Sequence, residues 1–164
     1  MKKQFLLIAC LAWFFTAQAQ TTDRITYMVT GTGFSTTEES VVTLTQDITT
    51  EVSTPYPPTI GPRNFTLNFT RATDINSKSF NQAADLGSKL TSIEFKVYAQ
   101  GAVTPYISYQ LKNFILAGFK QTATAGGGPV IENISLAFEN WGFKDWLNNL
   151  SFGWSIVNRN PTAY

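Results

Sequence analysis

Few side chains in this sequence could do chemistry. It contains no histidine, and its one cysteine, Cys10, lies close to the N-terminus. Without imidazole or a second thiol there is no Ser-His-Asp triad, no Cys-His dyad and no ordinary zinc or transition-metal site. Carboxylates remain: Asp23, Glu38, Glu39, Asp47, Glu51, Asp74, Asp85, Glu94, Glu132, Glu139 and Asp145. Two of them about 5–10 Å apart across a groove could hydrolyse a glycosidic bond. The sequence offers no such pair, and each acid reads as a lone solvated carboxylate on a polar strand face or in a turn. The expectation is therefore no catalytic site, no metal and no cofactor: not an enzyme.

The N-terminus bears on compartment. Lys2 and Lys3 precede an apolar run at residues 5–15, and Ala17-Gln18-Ala19 supplies the small-x-small pattern that a signal peptidase reads. The run is about eleven residues long, against the roughly 20 needed to span a bilayer. Cleavage near Ala19 would make residues 1–19 a signal peptide and residues 20–164 a single domain. A rival reading takes Leu7-Ile8-Ala9-Cys10 as a lipobox with Cys10 acylated, but leaves a hydrophobic segment shorter than the usual 7–15 or so residues. The expected localisation is secreted, periplasmic or cell-surface, with no stable membrane insertion. Losing Lys2 and Lys3 takes the 12 cations to 10 against 11 acids. A chain so near neutrality carries no electrostatic footprint for nucleic acid. With Cys10 gone, packing alone must hold the fold.

The elements that would position any site are mostly strands. Residues 24–30 (RITYMVT), 41–53 (VVTLTQDITTEVS), 64–71 (NFTLNFTR) and 91–98 (TSIEFKVY) alternate apolar and polar with period two, and β-branched residues are frequent. Residues 106–120 (YISYQLKNFILAGFK) read as a longer strand, bulged near Asn113 where the alternation breaks. After Gly126-Gly127-Gly128, Ile134, Leu136 and Phe138 point one way while Ser135, Ala137 and Glu139 point the other. A last strand is expected at 150–157 (LSFGWSIV), then a frayed tail at 158–164. Between the strands, Phe80, Ala83, Ala84 and Leu86 fall at helical spacing, with Ser77 as N-cap and Gly87 as stop. Residues 54–62 (TPYPPTIGP) hold four of the seven prolines and read as an extended loop. The fold class predicted is mainly β, a barrel or packed sandwich with one short helix.

In order and spacing, residues 63–141 resemble the haemolysin-coregulated protein family, Hcp, the tube proteins of type VI secretion systems. The resemblance rests on a strand ending in FTR, the short helix SKSFNQAADLG, the strand SIEFKVY, the run YQLKNFILAGFKQ and the strand ENISLAFENWGF. Glu132, Ile134, Ser135, Leu136 and Phe138 match the family's E-x-[VI]-S-[LF]-x-[FY] strand. The resemblance implies an Hcp-like β-barrel of two packed antiparallel sheets with one helix, assembled six to a ring, with rings stacking into a tube. It also implies small effector proteins or secretion-system components as partners, and no catalysis. Unlike the family's tube proteins, this chain carries an apparent export signal.

Two surfaces follow from these readings. The Pro-rich stretch, chiefly Tyr56, Pro57, Pro58 and Ile60, is the expected contact with a second copy of the chain. Trp141, Trp146 and Trp154, with Phe143 and Phe152 among them, either seal a core or form a face for carbohydrate or another surface ligand.

Overall fold

Alternating β-branched and aromatic residues form long antiparallel strands here because only a pleated sheet buries one side of such a pattern while leaving the other in water. The computed structural model describes the backbone of residues 23–53 and 59–164, and the side chains of these residues except 48–64. In chain order the elements are β1 (Arg24–Thr30), β2 (Glu39–Val41), β3 (Thr43–Ser53), β4 (Thr59–Ala72), α1 (Ser77–Leu86), β5 (Leu90–Tyr98), β6 (Ile107–Thr122), β7 (Ile131–Asp145), β8 (Leu150–Ser155) and β9 (Asn160–Thr162). The strand order is β2-β1-β5-β6-β7-β4-β3, with β8 added to β7 and β9 to β8. β2 and β3 are separated only by Val42, yet β2 pairs with β1 and β3 with β4. The Val42 amide donates to the Thr70 carbonyl at 2.8 Å. This bent strand joins the two layers, so the sheet curls into a barrel and hides most of its edges.

The barrel is filled by Tyr27, Phe69, Phe95, Phe114, Ile93, Leu111, Ile134 and Leu136, all nearly inaccessible to solvent. The rings of Phe69 and Phe95 meet edge to face, their centroids 5.1 Å apart. Helix α1 closes one side with buried Phe80 and Ala83, and its Leu86 is left exposed. Gly87 ends the helix in the left-handed conformation, as expected. The cap differs from expectation. Asn76 precedes the helix without a side-chain capping bond, and Ser77 is the first helical residue. Ser77 Oγ instead accepts from the Asp74 amide at 3.0 Å and from Arg71 Nη2 at 3.2 Å.

That arginine is the main departure from the expected polar surface. Arg71 and Glu132 are directly opposite each other on β4 and β7, and both are fully buried. Arg71 Nη2 lies 2.5 Å from Glu132 Oε2. The contact is one of charge, since no N–H is aligned on Oε2, and Arg71 Nε also lacks a partner. Gln121 Nε2 donates to the other carboxylate oxygen at 2.9 Å. Arg71 Nη1 contacts both Asp74 and the Tyr27 hydroxyl. That hydroxyl donates to Asp74 Oδ2 at 2.7 Å and accepts from Asn76 Nδ2 at 3.1 Å. Burial, and then the Asp74 acceptor, push the Tyr27 phenol far above its ordinary pKa, so it stays neutral and donating. The guanidinium lies 4.7 Å from the centre of the Phe80 ring. One cation thus ties β4, β7, β1 and the start of α1 together. Glu132 is not the solvated carboxylate its residue type suggested.

A second polar cluster secures the closure. Glu38, just before β2, accepts from Thr26 Oγ1 on β1 at 2.9 Å and from Lys96 Nζ on β5 at 2.7 Å. The Tyr98 hydroxyl adds a third bond at 2.9 Å. Partial burial opposes ionisation, but the hydrogen bonds from Lys96, Thr26 and Tyr98 together hold the Glu38 carboxyl below its ordinary pKa.

Glu132→Ala strands a buried guanidinium and should destabilise the protein by about 3–5 kcal/mol. Replacing both partners with Arg71→Met and Glu132→Leu should recover much of that loss. Chemical denaturation of the two variants checks this. The Glu38 contribution, from a lowered folded pKa, is present above the unfolded carboxylate value of about 4.3 and is lost as pH falls through the lower folded value. Glu38→Gln should therefore lower the urea midpoint at pH 7 and converge with the parent protein at pH 3.

Candidate assembly surface

One edge of β7 is claimed by two strands in succession. β4 holds it from Ile131, opposite Ala72, to Ala137, opposite Thr66. β8 takes over at Asn140, opposite Ser155. A strand edge bonds one neighbour at a time, so the remainder of β4, residues 59–65, leaves β7 and pairs with β3 alone. That remainder extends roughly 23 Å at about 3.3 Å per residue. A two-stranded ribbon is marginal in water without a third strand or a covering surface. The pairing runs as far as Ser53 opposite Thr59, with a register shift between Thr50, opposite Arg63, and Val52, opposite Ile60. Gly61 and Pro62 sit in that bulge, where a residue without an N–H is tolerated. Residues 59–62 therefore continue β4, whereas the sequence suggested that all of 54–62 was loop. Of the expected contact residues, Tyr56, Pro57 and Pro58 lie outside the described residues. Ile60 lies on β4, and its side chain is likewise outside the description.

The same region of β7 carries an aromatic face. The inward positions of β6 and β7 shift phase at Asn113, which has φ 53°, so that Phe114 follows Leu111 and Trp141 follows Phe138 on the core side. The expected irregularity at Asn113 is thus present, and the pairing itself slips a little later, between Leu116 and Gly118. Beyond the phase shift, cross-strand partners line up in ranks. One runs Tyr27, Phe95, Tyr109, Phe143 and Phe152 across β1, β5, β6, β7 and β8. Its neighbour runs Val29, Ile93, Leu111, Trp141 and Trp154. Both ranks begin fully buried. The first emerges half-buried at Tyr109 and Phe143 and ends at Phe152, which is 45% exposed. Phe152 meets Trp141 edge to face at 5.5 Å and stacks with Trp154, their planes 15° apart. Trp141 Nε1 is buried without a hydrogen-bond partner.

The three tryptophans do not share a surface. Trp141 and Trp154 are direct cross-strand partners on the aromatic face. Trp146, 38% exposed, lies on the opposite face, donating through Nε1 to Ser108 Oγ at 3.1 Å with Lys144 Nζ 3.6 Å above its ring. The sequence pointed to Phe143 and Phe152 but missed Tyr109, whose place in the rank depends on the β6–β7 register.

The expected frayed tail is ordered and helps to position β8. β9 pairs with β8, and the Tyr164 ring crosses the outer face to bond Ser108 Oγ through its hydroxyl. Gly142 and Gly153 make this possible. A Cβ on Gly142 would sit 2.8 Å from Tyr164 Cδ2, and one on Gly153 would collide with the Thr162 carbonyl. Repeated apolar alternation cannot report such a fit, which depends on missing side chains on one strand and a ring arriving from another.

A family model described as "Type VI secretion system effector, Hcp" matches residues 40–145, well over half of the chain. Solved structures share the fold. A type six secretion system protein superposes with a TM-score of 0.69 at 15% identity, covering 86% of this chain and 100% of that one. Hcp1 from Salmonella typhimurium gives 0.67 at 13% identity, covering 86% and 100%. Hcp1 from Flavobacterium johnsoniae gives 0.57 at 10% identity, covering 79% and 98%. No curated protein matches the sequence.

Gly142→Val should displace Tyr164 and destabilise the protein by about 1–3 kcal/mol through overpacking. Faster proteolytic trimming of the C-terminal residues, seen by mass spectrometry, is the expected signature.

Proposed function

This chain belongs to the Hcp family of type VI secretion effectors, and on that footing we propose that it is an exported structural protein that closes into hexameric rings. In this reading a signal peptide ending near Ala19 sends residues 20–164, one domain, to the periplasm, the cell surface or the medium. There the rings act as a tube component or carrier of a type VI-like secretion system, with small effector proteins or secretion-system components as partners. Among the described residues no helix is long and apolar enough to cross a membrane.

The observation that carries the proposal is the β3–β4 ribbon, which departs from the sheet because β8 occupies its place on β7. A ribbon of this kind gains stability from a second copy, and its connecting residues Tyr56, Pro57 and Pro58, followed by Ile60, are the proposed contact. A ring interface of ordinary size buries well over 1,000 Å² in total.

A second reading has its own observation. The stacked, partly exposed Phe152–Trp154 pair suits a stand-alone secreted module that binds carbohydrate or another surface ligand. Native mass spectrometry of residues 20–164 separates the two. The expected result is a mass near six protomers, reduced to monomer by Tyr56→Glu. A monomer at high concentration rejects the ring and leaves the binding module.

A further inference from the structure

The two most exposed large apolar side chains among the described residues, Val103 at 92% and Leu147 at 78%, lie at the same end of the barrel. There Ile107, at the start of β6, faces Asp145, at the end of β7, and Asp145 faces Leu150, at the start of β8. The Trp146 amide donates to the Tyr106 carbonyl at 2.9 Å, so the loop at 99–106 and the turn at 146–149 stand side by side. We propose that this two-loop end docks the protein on a lipid bilayer, entering its interfacial layer through Val103, Trp146, Leu147 and Leu150 without spanning it. Only the compartment in which the bilayer is met rests on the export reading.

The chemistry of this end suits the boundary between water and lipid. Residues 99–106 and 146–150 carry no charge. Both loops are held in shape. The Ala102 amide donates to the Ala99 carbonyl at 3.0 Å around a left-handed Gly101, with φ 72°. The Asp145 carboxylate accepts from the amides of Leu147 and Asn148 at 2.9 and 3.0 Å and from Asn148 Nδ2 at 2.7 Å, which commits its charge to the turn. Apolar groups presented on such turns lose little backbone freedom when they are buried. Trp146 lies on the outer face and Leu150, 62% exposed, on the core side, so the end of the β7–β8 hairpin is apolar on both sides. The Trp146 N–H is already satisfied by Ser108 Oγ. Lys144 Nζ, 3.6 Å above the indole, is a flanking cation whose stem can stay in the apolar layer while its charge meets the headgroups.

The occupant is a bilayer for two reasons. A convex end built of two turns needs a concave apolar seat on a protein partner, whereas the lipid boundary yields to protruding apolar groups and takes them in by about 5–10 Å. The path of the chain points the same way. β1 starts at this end, with Arg24 opposite Tyr98 and Asp23 accepting from the Tyr106 hydroxyl at 2.5 Å. The apolar run at residues 5–15 therefore joins the domain here, through residues 16–22, which reach about 25 Å at full extension. While that run occupies the export membrane, it ties the folded domain to the bilayer by this end. Once it is removed, the four apolar side chains are what keeps the domain there. Leu86 and Ile115, exposed singly on α1 and β6, form no such cluster.

Flotation of the processed protein, residues 20–164, tests this with vesicles of phosphatidylcholine, alone or mixed equally with phosphatidylglycerol. The expected result is binding to both, because apolar contact and not net charge carries it. Val103→Asp and Leu147→Asp, at exposed positions outside the core, should each weaken binding roughly tenfold, while Leu86→Asp leaves it unchanged. Phosphatidylcholine brominated in its acyl chains should quench the tryptophan emission, and Trp146→Phe should remove most of that quenching where Trp154→Phe does not. Folded protein that floats with neither vesicle overturns the proposal. So does flotation that Leu147→Asp leaves intact, or flotation that requires phosphatidylglycerol and vanishes in salt. Hexamers lost on Leu147→Asp, with no flotation of the parent protein, assign this end to a contact between copies and overturn the proposal as well. Failure on these counts leaves export standing, which cell fractionation reads, and the ring, which native mass reads.

Discussion

The buried pair of Arg71 and Glu132 is the constraint on which the rest of the barrel depends. A guanidinium inaccessible to water is costly unless its charge is met, and here Glu132 on β7, Tyr27 on β1, Ser77 on α1 and Asp74 in the turn before that helix meet it, with Nε alone left over. Since Arg71 and Glu132 are cross-strand partners, their contact fixes the register of β4 on β7. A slip of β4 by one residue would turn Arg71 outward, carry Phe69 out of the core with it and leave Glu132 buried without its cation. Through Asp74 and Ser77 the same cation anchors the start of α1, which lets Phe80 cover the barrel.

Register set at one end of β7 has effects at the other. With β4 held between Ile131 and Ala137, the remaining edge of β7 is free for β8, and the β3–β4 ribbon must separate. The aromatic ranks and the ribbon are therefore two results of one arrangement. The first comes from widening the sheet by one strand, and the second from the strand that was excluded. The glycine-lined seat for Tyr164 on the outer face holds the added strand in place.

Much of this was legible in the residues. Period-two runs located β5, β6 and the part of β4 that pairs with β7 closely, and the inward face of β7, because alternation and β-branched content report the same burial. The helix was legible from Phe80, Ala83 and Gly87. The ion pair was written there too, in two signals that disagreed. Glu132 shares the parity of Ile134, Leu136 and Phe138, and Arg71 that of Leu67 and Phe69, so position said inward while residue type said solvent. Only the opposing charge on the facing strand resolves that conflict, and the facing strand is a property of the fold. Tyr109, Gly142 and Tyr164 were illegible for a related reason. Each matters through a partner far away in the chain, and no local period encodes it. Residues 59–62 were misread because proline content argued against a strand, while an edge position with a bulge admits it.

The contest between β4 and β8 for a single edge also makes the ribbon an adjustable dimension. For β3 and β4 of given length, its reach is set by the residue at which β8 takes over the edge. Each pair of β7 positions that β8 cedes to β4 would draw the ribbon in by about 7 Å, and each pair it gains would extend it by as much. Relatives of this chain could thus carry ribbons of different reach through changes confined to the C-terminal hairpin, leaving the barrel and its buried cation as they are.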